Sequence, residues 1–345
     1  MRWQNLGADS VTAPALFGLD AVTRTFDTPE FRGITFHEVR ARSIINRVPG
    51  TSRMAFECTI NPYRGCSHAC VYCFARSTHG YLDLDTGHDF DSQIVVKVNA
   101  VELLRRELSA PRWQGEHIAM GTNVDCYQRA EGRYRLMPGI LAALRDRANP
   151  FSILTKGSLI LRDLAILEQA AQVTEVSTAV SVGFTDHDLW RSVEPGTPSP
   201  AKRLEVCRTL TDHGIRCGVL MAPVLPYLSD SPEQLDATVR AIAAGGATSV
   251  TPLVLHLRPG AREWYFQWLA RYRPDLVRRY ESLYGHSAYA PTWYQRRITR
   301  QVHELATGYG MRDQRTPRGA APEPPPDEGP EETEETPVPT QLRLI

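Results

Sequence analysis

The sequence of 345 residues lacks any long apolar run. No stretch approaches the roughly 18 consecutive apolar residues that a membrane-spanning helix needs. The N-terminal segment MRWQNLGADSVTAPALFGLDA also lacks the apolar centre of a secretory signal. We therefore expect a cytoplasmic protein with no membrane partner. Self-similarity at a fixed period is missing as well, which argues against a repeat array.

Cysteine is scarce, and its distribution is uneven. There are seven cysteines, an odd number, and three of them crowd into residues 66–73. This pattern does not suit a disulfide framework, and crowded thiols in a reducing compartment usually indicate a metal site or catalysis.

The sequence also has no net charge, but this balance hides an asymmetry. Residues 316–345 contain seven acids and two arginines, so residues 1–315 retain 37 basic and 32 acidic residues, a formal +5. A mildly basic folded part is compatible with a polyanionic partner.

Strand-like and helix-like segments alternate over much of the chain. Residues 33–39 form one strand-like run near the N-terminus. Further strands are predicted at 57–61, 94–98, 117–123, 151–154, 176–182, 217–222 and 249–255. Helices are predicted at 101–108, 137–147, 161–171, 201–213 and 232–245. This alternation indicates repeated βαβ units around a parallel sheet, either open or curled toward a barrel.

The composition divides the chain into four parts. Residues 1–55 are interpreted as an N-terminal extension, and residues 56–256 as the core. Residues 257–312 are predicted to be helical and are rich in arginine and aromatic residues. Residues 313–345 are rich in proline and glutamate and bury too little surface to fold, so we expect a disordered tail.

The central motif is Cys66-Ser-His-Ala-Cys70-Val-Tyr-Cys73, a C-x3-C-x2-C triplet. Three thiolates on one short loop can bind three irons of a 4Fe-4S cluster and leave the fourth iron open for a small chelating ligand. S-adenosylmethionine (SAM) offers such a chelating pair, an amine and a carboxylate. The alternatives are buried structural thiols, or a zinc site completed by His68 or His79.

This loop, with Tyr72 before its third cysteine, resembles the signature of the radical SAM superfamily. The segments NPYRGCSHACVYCFARSTHGYL, GTNVDCYQ, ILTKG, RSVEPGTPSPAKRLE and GVLMAPVLP resemble a branch related to spore photoproduct lyase, a DNA-repair enzyme. The resemblance covers about residues 35–300. It implies an α/β fold, a partial six-stranded β/α barrel with the cluster at its top, and reductive cleavage of SAM that needs an external electron donor.

The resemblance also implies which residues contact SAM. It points to the backbone around Tyr72 and that of Ala222 for the adenine, and to Asn123 for the amino acid end or the ribose. It further implies Lys156 and Ser181 as SAM-binding side chains. The alternative is that these are ordinary polar residues at strand ends.

One departure from the branch concerns its hydrogen-donor cysteine. The matching position falls near Gly121 or Thr122, neither of which is a thiol, and Cys126 follows a few residues later. Cys126 either donates a hydrogen atom or is an incidental small residue. We interpret Cys58, Cys207 and Cys217 as structural thiols.

Two C-terminal features indicate partners. Arginines and aromatics after residue 257 suit phosphates and unpaired bases, although Trp264, Trp268 and Tyr272 have the spacing of a core stripe. The last five residues resemble the peptide with which bacterial repair proteins bind the sliding clamp, and the alternative is a random tail end. The residues implied are Gln341, Leu342, Leu344 and Ile345.

The sequence thus predicts a radical SAM enzyme that generates a 5′-deoxyadenosyl radical for hydrogen abstraction. A lesion in nucleic acid is the leading substrate. The alternatives are a radical SAM reaction on a small molecule, protein or RNA, and a non-catalytic metal-bearing interaction module.

Overall fold

The computed structural model describes residues 21–48 and 56–311. The predicted clamp-binding peptide and nearly all of the predicted tail lie outside these residues. Eleven strands form within the described part: β1 Val22–Thr25, β2 Thr35–Val39, β3 Ile45–Arg47, β4 Cys58–Ile60, β5 Tyr63–Arg64, β6 Gln93–Lys97, β7 Ile118–Met120, β8 Phe151–Thr155, β9 Val176–Ser181, β10 Cys217–Val224 and β11 Val250–Val254.

The described residues also form eleven α-helices and three short 3-10 helices. The α-helices are α1 His88–Ser92, α2 Ala100–Leu108, α3 Arg129–Tyr134, α4 Leu136–Asp146, α5 Leu164–Ala171, α6 His187–Val193, α7 Pro200–Asp212, α8 Pro232–Ala244, α9 Ala261–Tyr272, α10 Val277–Tyr284 and α11 Thr292–Gly308. The 3-10 helices are Phe74–Leu82, Ser158–Asp163 and Pro274–Leu276. Among the described residues, no helix is both long and apolar enough to cross a bilayer.

The larger sheet has seven strands in the order β11-β10-β9-β8-β7-β4-β3. The six strands from β4 to β11 in this order are parallel to their neighbours, and β3 pairs antiparallel with β4 at the edge. Helices follow most of these strands, as the βαβ pattern predicts. The mixed α/β fold with a parallel sheet is therefore confirmed, and the six parallel strands equal the number expected of the partial barrel.

A second sheet of four strands, in the order β1-β2-β6-β5, corrects one detail of the prediction. The strand predicted at 94–98 forms as β6, but it pairs with β2 and β5 instead of joining the main sheet. Period-2 alternation identifies a strand without identifying its partner, which explains the difference. The described part of the extension predicted at 1–55 supplies β1 and β2 to this sheet and β3 to the larger sheet.

A second correction concerns the strand predicted at 117–123, which ends at Met120. Gly121 adopts φ +76°, outside the range of an extended strand, so the chain leaves the sheet there. The residues that follow become a loop at the carboxyl end of β7. This loop carries Asn123 to the site described below.

The helices α7 and α8 begin at clear capping signals. Ser199 accepts a hydrogen bond from the backbone of Lys202, and Pro200 occupies the first turn. Ser231 and Gln234 form a reciprocal capping box at the start of α8. Such caps satisfy the free N–H groups at a helix start and fix where the helix begins.

The C-terminal helices pack on the main sheet and on its neighbouring helices. The helix α11 contacts α8 and β11. Trp264 lies 4.9 Å from the guanidinium of Arg76, and Trp268 Nε1 donates to Ser192 Oγ at 2.9 Å. Trp264 and Trp268 therefore pack against the body of the protein, as the core-stripe alternative predicts, whereas Tyr272 is 38% exposed and stacks on Trp268.

Candidate active site

The carboxyl ends of the parallel strands surround one cavity. The cavity opens to solvent, and the empty space within it and at its opening amounts to about 900 Å³. Its lining comes from the ends of β7, β8, β9, β10 and β11 and from the cysteine loop that follows β5. Carboxyl ends of parallel strands are the usual place for a site in this architecture.

The structure brings eight of the predicted site residues together in this lining. They are Cys66, Cys70, Cys73, Tyr72, Asn123, Lys156, Ser181 and Ala222. Their individual roles as ligands or cofactor contacts stay predictions. Their convergence from five separate segments agrees with one shared site.

Cys126 is placed differently. Its side chain is fully buried and is not part of the cavity lining. Burial, followed by the neighbouring Asp125 and Glu131, raises the pKa of its thiol well above the ordinary value. This position does not support Cys126 as a hydrogen donor to a ligand in the cavity.

The cysteine loop is held in shape by backbone turns at two residues. Gly65 adopts φ +81°, and a Cβ there would lie 2.7 Å from the carbonyl oxygen of Gln93. Only glycine fits so close to a neighbouring strand. Ala69 also has a positive φ, +54°, between the first two cysteines. These turns direct the three cysteines toward one cavity.

Gln128 fastens the same loop from behind. Its fully buried amide accepts a hydrogen bond from the Ser67 backbone N–H at 3.0 Å and donates to the Gly65 carbonyl at 2.9 Å. Both bonds flank Cys66. The buried amide supplies hydrogen bonds to two backbone groups of the loop that would otherwise need water. These bonds make the loop rigid.

Arg76 is the second support of the loop and is also fully buried. Its guanidinium donates to the Cys70 carbonyl at 3.0 Å and to the Gly87 carbonyl at 2.6 Å. It also pairs with Asp91 at 2.9 Å. Burial, offset in part by Arg76, raises the pKa of Asp91 to about 6. Arg76 therefore ties the second cysteine to the segment before β6.

The chemistry of the three thiols fits an iron–sulfur cluster. Burial raises the pKa of Cys66, Cys70 and Cys73, that of Cys70 to about 12. A buried thiolate is costly unless a metal neutralises it, so these thiols suit metal ligation. No three Cys, His, Asp or Glu side chains of residues 21–48 and 56–311 converge on one ion. The thiols of a cluster bind different irons and need not converge.

A buried network connects the cysteine loop to β9. Tyr72 donates its hydroxyl to one oxygen of Glu194, and Arg203 Nη2 pairs with the other at 2.5 Å. Arg203 Nη1 also donates to the backbone oxygen of Ser181 at 2.6 Å. Burial alone would raise the pKa of Glu194, but Arg203, Lys156 and these hydrogen bonds hold it below its usual value. The carboxylate is therefore charged, and it fixes Tyr72 relative to β9.

Asp125 organises the wall between β7 and β8. It accepts hydrogen bonds from Thr155 Oγ1 at 2.7 Å and from the Lys156 backbone N–H at 2.6 Å. It also lies 3.4 Å from His68 Nδ1. Burial lowers the pKa of His68, so this histidine stays neutral near pH 7. The Lys156 ammonium lies 5.7 Å from the centre of the Tyr72 ring.

Two glycines let backbone strands approach closely beside the cavity. A Cβ at Gly121 would lie 1.8 Å from the Leu154 carbonyl oxygen, and one at Gly183 would lie 2.4 Å from that of Pro223. Either side chain would push neighbouring strand ends apart. The shape of the cavity floor therefore depends on these positions.

The mouth of the cavity carries aromatic rings and one guanidinium. Phe74 and His256 line the cavity, and Arg258 lies 5.6 Å from the Phe74 ring. Arg258 also donates to the Tyr289 hydroxyl at 3.0 Å, and the Tyr289 ring lies 4.6 Å from that of His256. Tyr289 is 42% exposed and Phe74 is 37% exposed. Burial lowers the pKa of His256 to about 4, which leaves it neutral.

The sequence reading did not identify several residues that support the site. They are Arg76, Asp125, Gln128, Glu194, Arg203 and His256. Glu194 and Arg203 lie within the segment RSVEPGTPSPAKRLE, which resembles the related enzymes. Its polar composition does not indicate that these two side chains are buried. A buried ion pair nine residues apart is a tertiary property that helical periodicity does not reveal.

Comparison with known proteins relates the chain to one family. The radical SAM superfamily model matches residues 60–240, which is more than half of the chain. An uncharacterized protein of Mycobacterium tuberculosis is 47% identical over 351 residues, covering 100% of both chains. An uncharacterized protein of Methanocaldococcus jannaschii is 29% identical over 195 residues, covering 56% of this chain and 69% of that protein.

Solved structures of spore photoproduct lyase are similar in fold. A structure of a variant with bound AdoMet and dinucleoside spore photoproduct superposes with a TM-score of 0.60 at 15% identity. The match covers 79% of this chain and 78% of that chain. At this identity the similarity shows a shared architecture.

Proposed function

Because the chain belongs to the radical SAM superfamily and is a radical SAM enzyme, we propose that its substrate is a nucleobase within a nucleic acid, as in the repair of a lesion. Enzymes of this superfamily use a 4Fe-4S cluster and SAM. The substrate proposal rests on the mouth of the cavity, where three aromatic side chains and a guanidinium lie in a contiguous group.

Separate sets of cavity residues are proposed to bind the cluster and SAM. When bound, the cluster and SAM supply reductive cleavage to a 5′-deoxyadenosyl radical for hydrogen abstraction. Cys66, Cys70 and Cys73 hold the cluster through their thiolates. A larger set of residues, all in the cavity lining, is proposed to hold SAM: Tyr72, Asn123, Lys156, Ser181 and Ala222.

The protein then positions the reacting groups and limits access by water. The Lys156 ammonium lies beside the Tyr72 ring, where it can meet a carboxylate bound in the cavity. Val254 and Leu255, at the end of β11, line the cavity and are buried, so the deep part of this wall is apolar. Exclusion of water protects a reactive species until it meets the substrate.

The mouth suits a flat, unpaired base with an adjoining phosphate. Exposed aromatic rings such as Phe74 and Tyr289 stack on any base, because every base has a π face. The Arg258 guanidinium between them can pair with a phosphate. A base must leave its duplex stack to reach a cavity of this kind, and side chains at the mouth can replace the lost stacking. The likeness in fold to spore photoproduct lyase supports the same proposal.

The test measures 5′-deoxyadenosine formed from SAM by the reconstituted enzyme, with and without ultraviolet-irradiated single-stranded DNA. We expect stimulation that falls steeply as salt rises. Replacing Tyr289 by Ala and Arg258 by Gln should remove most of the stimulation and keep the DNA-independent rate. Arg271→Gln is the matched control, because Arg271 is exposed on α9 and, among the residues that the structure describes, its side chain bonds only to the Gln267 carbonyl of the same helix. DNA-independent turnover that no nucleic acid stimulates would refute the substrate proposal.

A further inference from the structure

His68 lies within the cysteine loop, between Cys66 and Cys70, and it lines the cavity. Only 3% of the residue is exposed. The backbone of Gly196 packs directly against it. The Gly196 N–H donates to the His68 carbonyl at 3.0 Å, and a Cβ at Gly196 would lie 2.8 Å from the His68 Cα. The backbone of His68 is therefore held in place by the segment that follows α6.

One ring nitrogen of His68 faces a carboxylate. His68 Nδ1 lies 3.4 Å from Asp125 Oδ2. Asp125 is itself fixed, because it accepts hydrogen bonds from the backbone N–H groups of Tyr127 at 2.8 Å and Lys156 at 2.6 Å. The negative oxygen favours the tautomer of His68 that has its hydrogen on Nδ1. In the neutral ring, this tautomer leaves the lone pair on Nε2.

The second ring nitrogen of His68 is available to a ligand in the cavity. Within residues 21–48 and 56–311, Nε2 of His68 has no hydrogen-bond partner, yet it is not sealed from solvent. Because the ring lines the cavity, Nε2 is reached from there. An imidazole lone pair accepts a hydrogen bond from an N–H or O–H group and gives none to a carboxylate. The cysteine loop therefore presents one hydrogen-bond acceptor to the cavity.

The Lys156 ammonium complements this acceptor. Lys156 also lines the cavity, and Asp125 binds its backbone N–H, so one carboxylate holds both residues. Burial lowers the pKa of His68, Asp125 opposes this effect, and the charge of Lys156 lowers the pKa further, so the two side chains lie near each other. An ammonium attracts a carboxylate, whereas an imidazole lone pair accepts from an amine. Together the two side chains match the two polar groups of an α-amino acid.

We propose that His68 accepts a hydrogen bond from the amine at the methionine end of SAM, and that Asp125 positions the His68 ring for this contact. The place of His68 favours the methionine end over the adenosine, because SAM offers its amine and carboxylate to the open iron of a cluster that this loop holds. An amine keeps N–H donors when its lone pair binds a metal. The inference rests on the proposed SAM site and is independent of the proposed nucleic-acid substrate.

The experiment measures SAM binding to the reconstituted full-length protein by calorimetry, without a reductant so that SAM is not cleaved. His68→Asn keeps a donor near Asp125 but removes the atom at the Nε2 position. It should weaken SAM binding about fivefold to tenfold, the loss expected for one hydrogen bond. His68→Gln extends an amide oxygen toward the Nε2 position and should bind SAM nearly as the wild type does. His213→Asn is the matched control, because His213 is an exposed histidine that pairs with Glu168.

A second ligand separates recognition of the amine from a structural role. 5′-Methylthioadenosine has the adenosine of SAM but lacks the amino acid end, so His68→Asn should leave its dissociation constant unchanged. Iron content is measured in every variant and should equal that of the wild type. Unchanged SAM binding by His68→Asn, an equal loss for both ligands, or a loss of iron from His68→Gln would overturn the proposal.

The positioning role of Asp125 is tested with a double variant. If Asp125 acts through the ring of His68, then His68→Asn should weaken SAM binding less in an Asp125→Asn background than in the wild type. Equal factors in the two backgrounds would show that the residues act separately and would refute this role. A wild type that does not bind SAM would refute the proposed SAM site as a whole, whereas wild-type binding that His68→Asn leaves intact would refute this inference alone.

Discussion

Replacing Arg203 by Met should destabilise the protein far more than a nearby surface change. The side chains of Arg203 and Glu194 are each 1% exposed, so the substitution leaves a buried carboxylate whose remaining side-chain partners are the hydroxyls of Tyr72 and, at 3.5 Å, Thr197. Breaking a buried pair in this way costs about 3–5 kcal/mol. At roughly 2–4 °C per kcal/mol for a large domain, we expect the melting temperature to fall by about 10 °C.

The matched control is the preceding residue on the same helix. Lys202 pairs with Glu205, but both side chains are exposed, 46% and 60% respectively. Such a pair contributes about 0–1 kcal/mol, so Lys202→Met should change the melting temperature little. The double variant Glu194→Leu with Arg203→Met removes both charges and should recover much of the lost stability.

The assay is thermal unfolding of the reconstituted protein, with SAM binding measured in parallel. Arg203→Met should also weaken SAM binding, because Arg203 ties the Ser181 backbone to the carboxylate that holds Tyr72. The pKa of Glu194 is held below its usual value, so its stabilisation is present above about pH 4.5 and is lost as pH falls further. Equal losses in Arg203→Met and Lys202→Met, or a double variant as unstable as the summed single variants, would refute this reasoning.

Further predictions follow for the floor, the loop and the wall of the cavity. Gly121→Ala should weaken SAM binding strongly, because its Cβ would lie 1.8 Å from the Leu154 carbonyl oxygen. Gly115→Ala is the control and should leave SAM binding unchanged, because Gly115 also has a positive φ but has no atom within 4 Å of an added Cβ. Arg76→Met should lower the iron content after reconstitution, because the Cys70 carbonyl loses its hydrogen-bond donor. A full complement of iron in this variant would contradict the prediction. Lys156→Met should keep its iron but raise the SAM dissociation constant about tenfold or more, as loss of a charge-assisted contact implies, and an unchanged constant would exclude the proposed contact.

Much of the architecture could be predicted from periodicity. The strands near residues 151–154, 176–182, 217–222 and 249–255 form where alternation and apolar runs placed them. Parallel βαβ order follows from their separation by helices, because a parallel pair needs a long crossover. The strand at 94–98 was assigned without its partners, since alternation carries no information on which strand lies beside it.

The cysteine loop was the easiest part of the site to identify, because its ligands are local in sequence. Asn123 and Lys156 could be proposed because the segments GTNVDCYQ and ILTKG resemble the related enzymes. The supporting residues Gln128 and Arg203 could not, because each acts through contacts formed only when distant segments pack together. Polar residues usually face water, and the sequence alone gives no reason to bury these two.

The most direct test of the account is to reconstitute the protein anaerobically with iron and sulfide, count iron per chain, and assay 5′-deoxyadenosine from SAM and a reductant. We predict about four irons per chain and SAM cleavage. Both should be lost in Cys70→Ala and kept in Cys207→Ala, because Cys207 is buried on α7 and does not line the cavity. Zinc in place of iron, or a loaded cluster that does not cleave SAM under adequate reduction, would contradict the assignment of this cavity as a radical SAM active site.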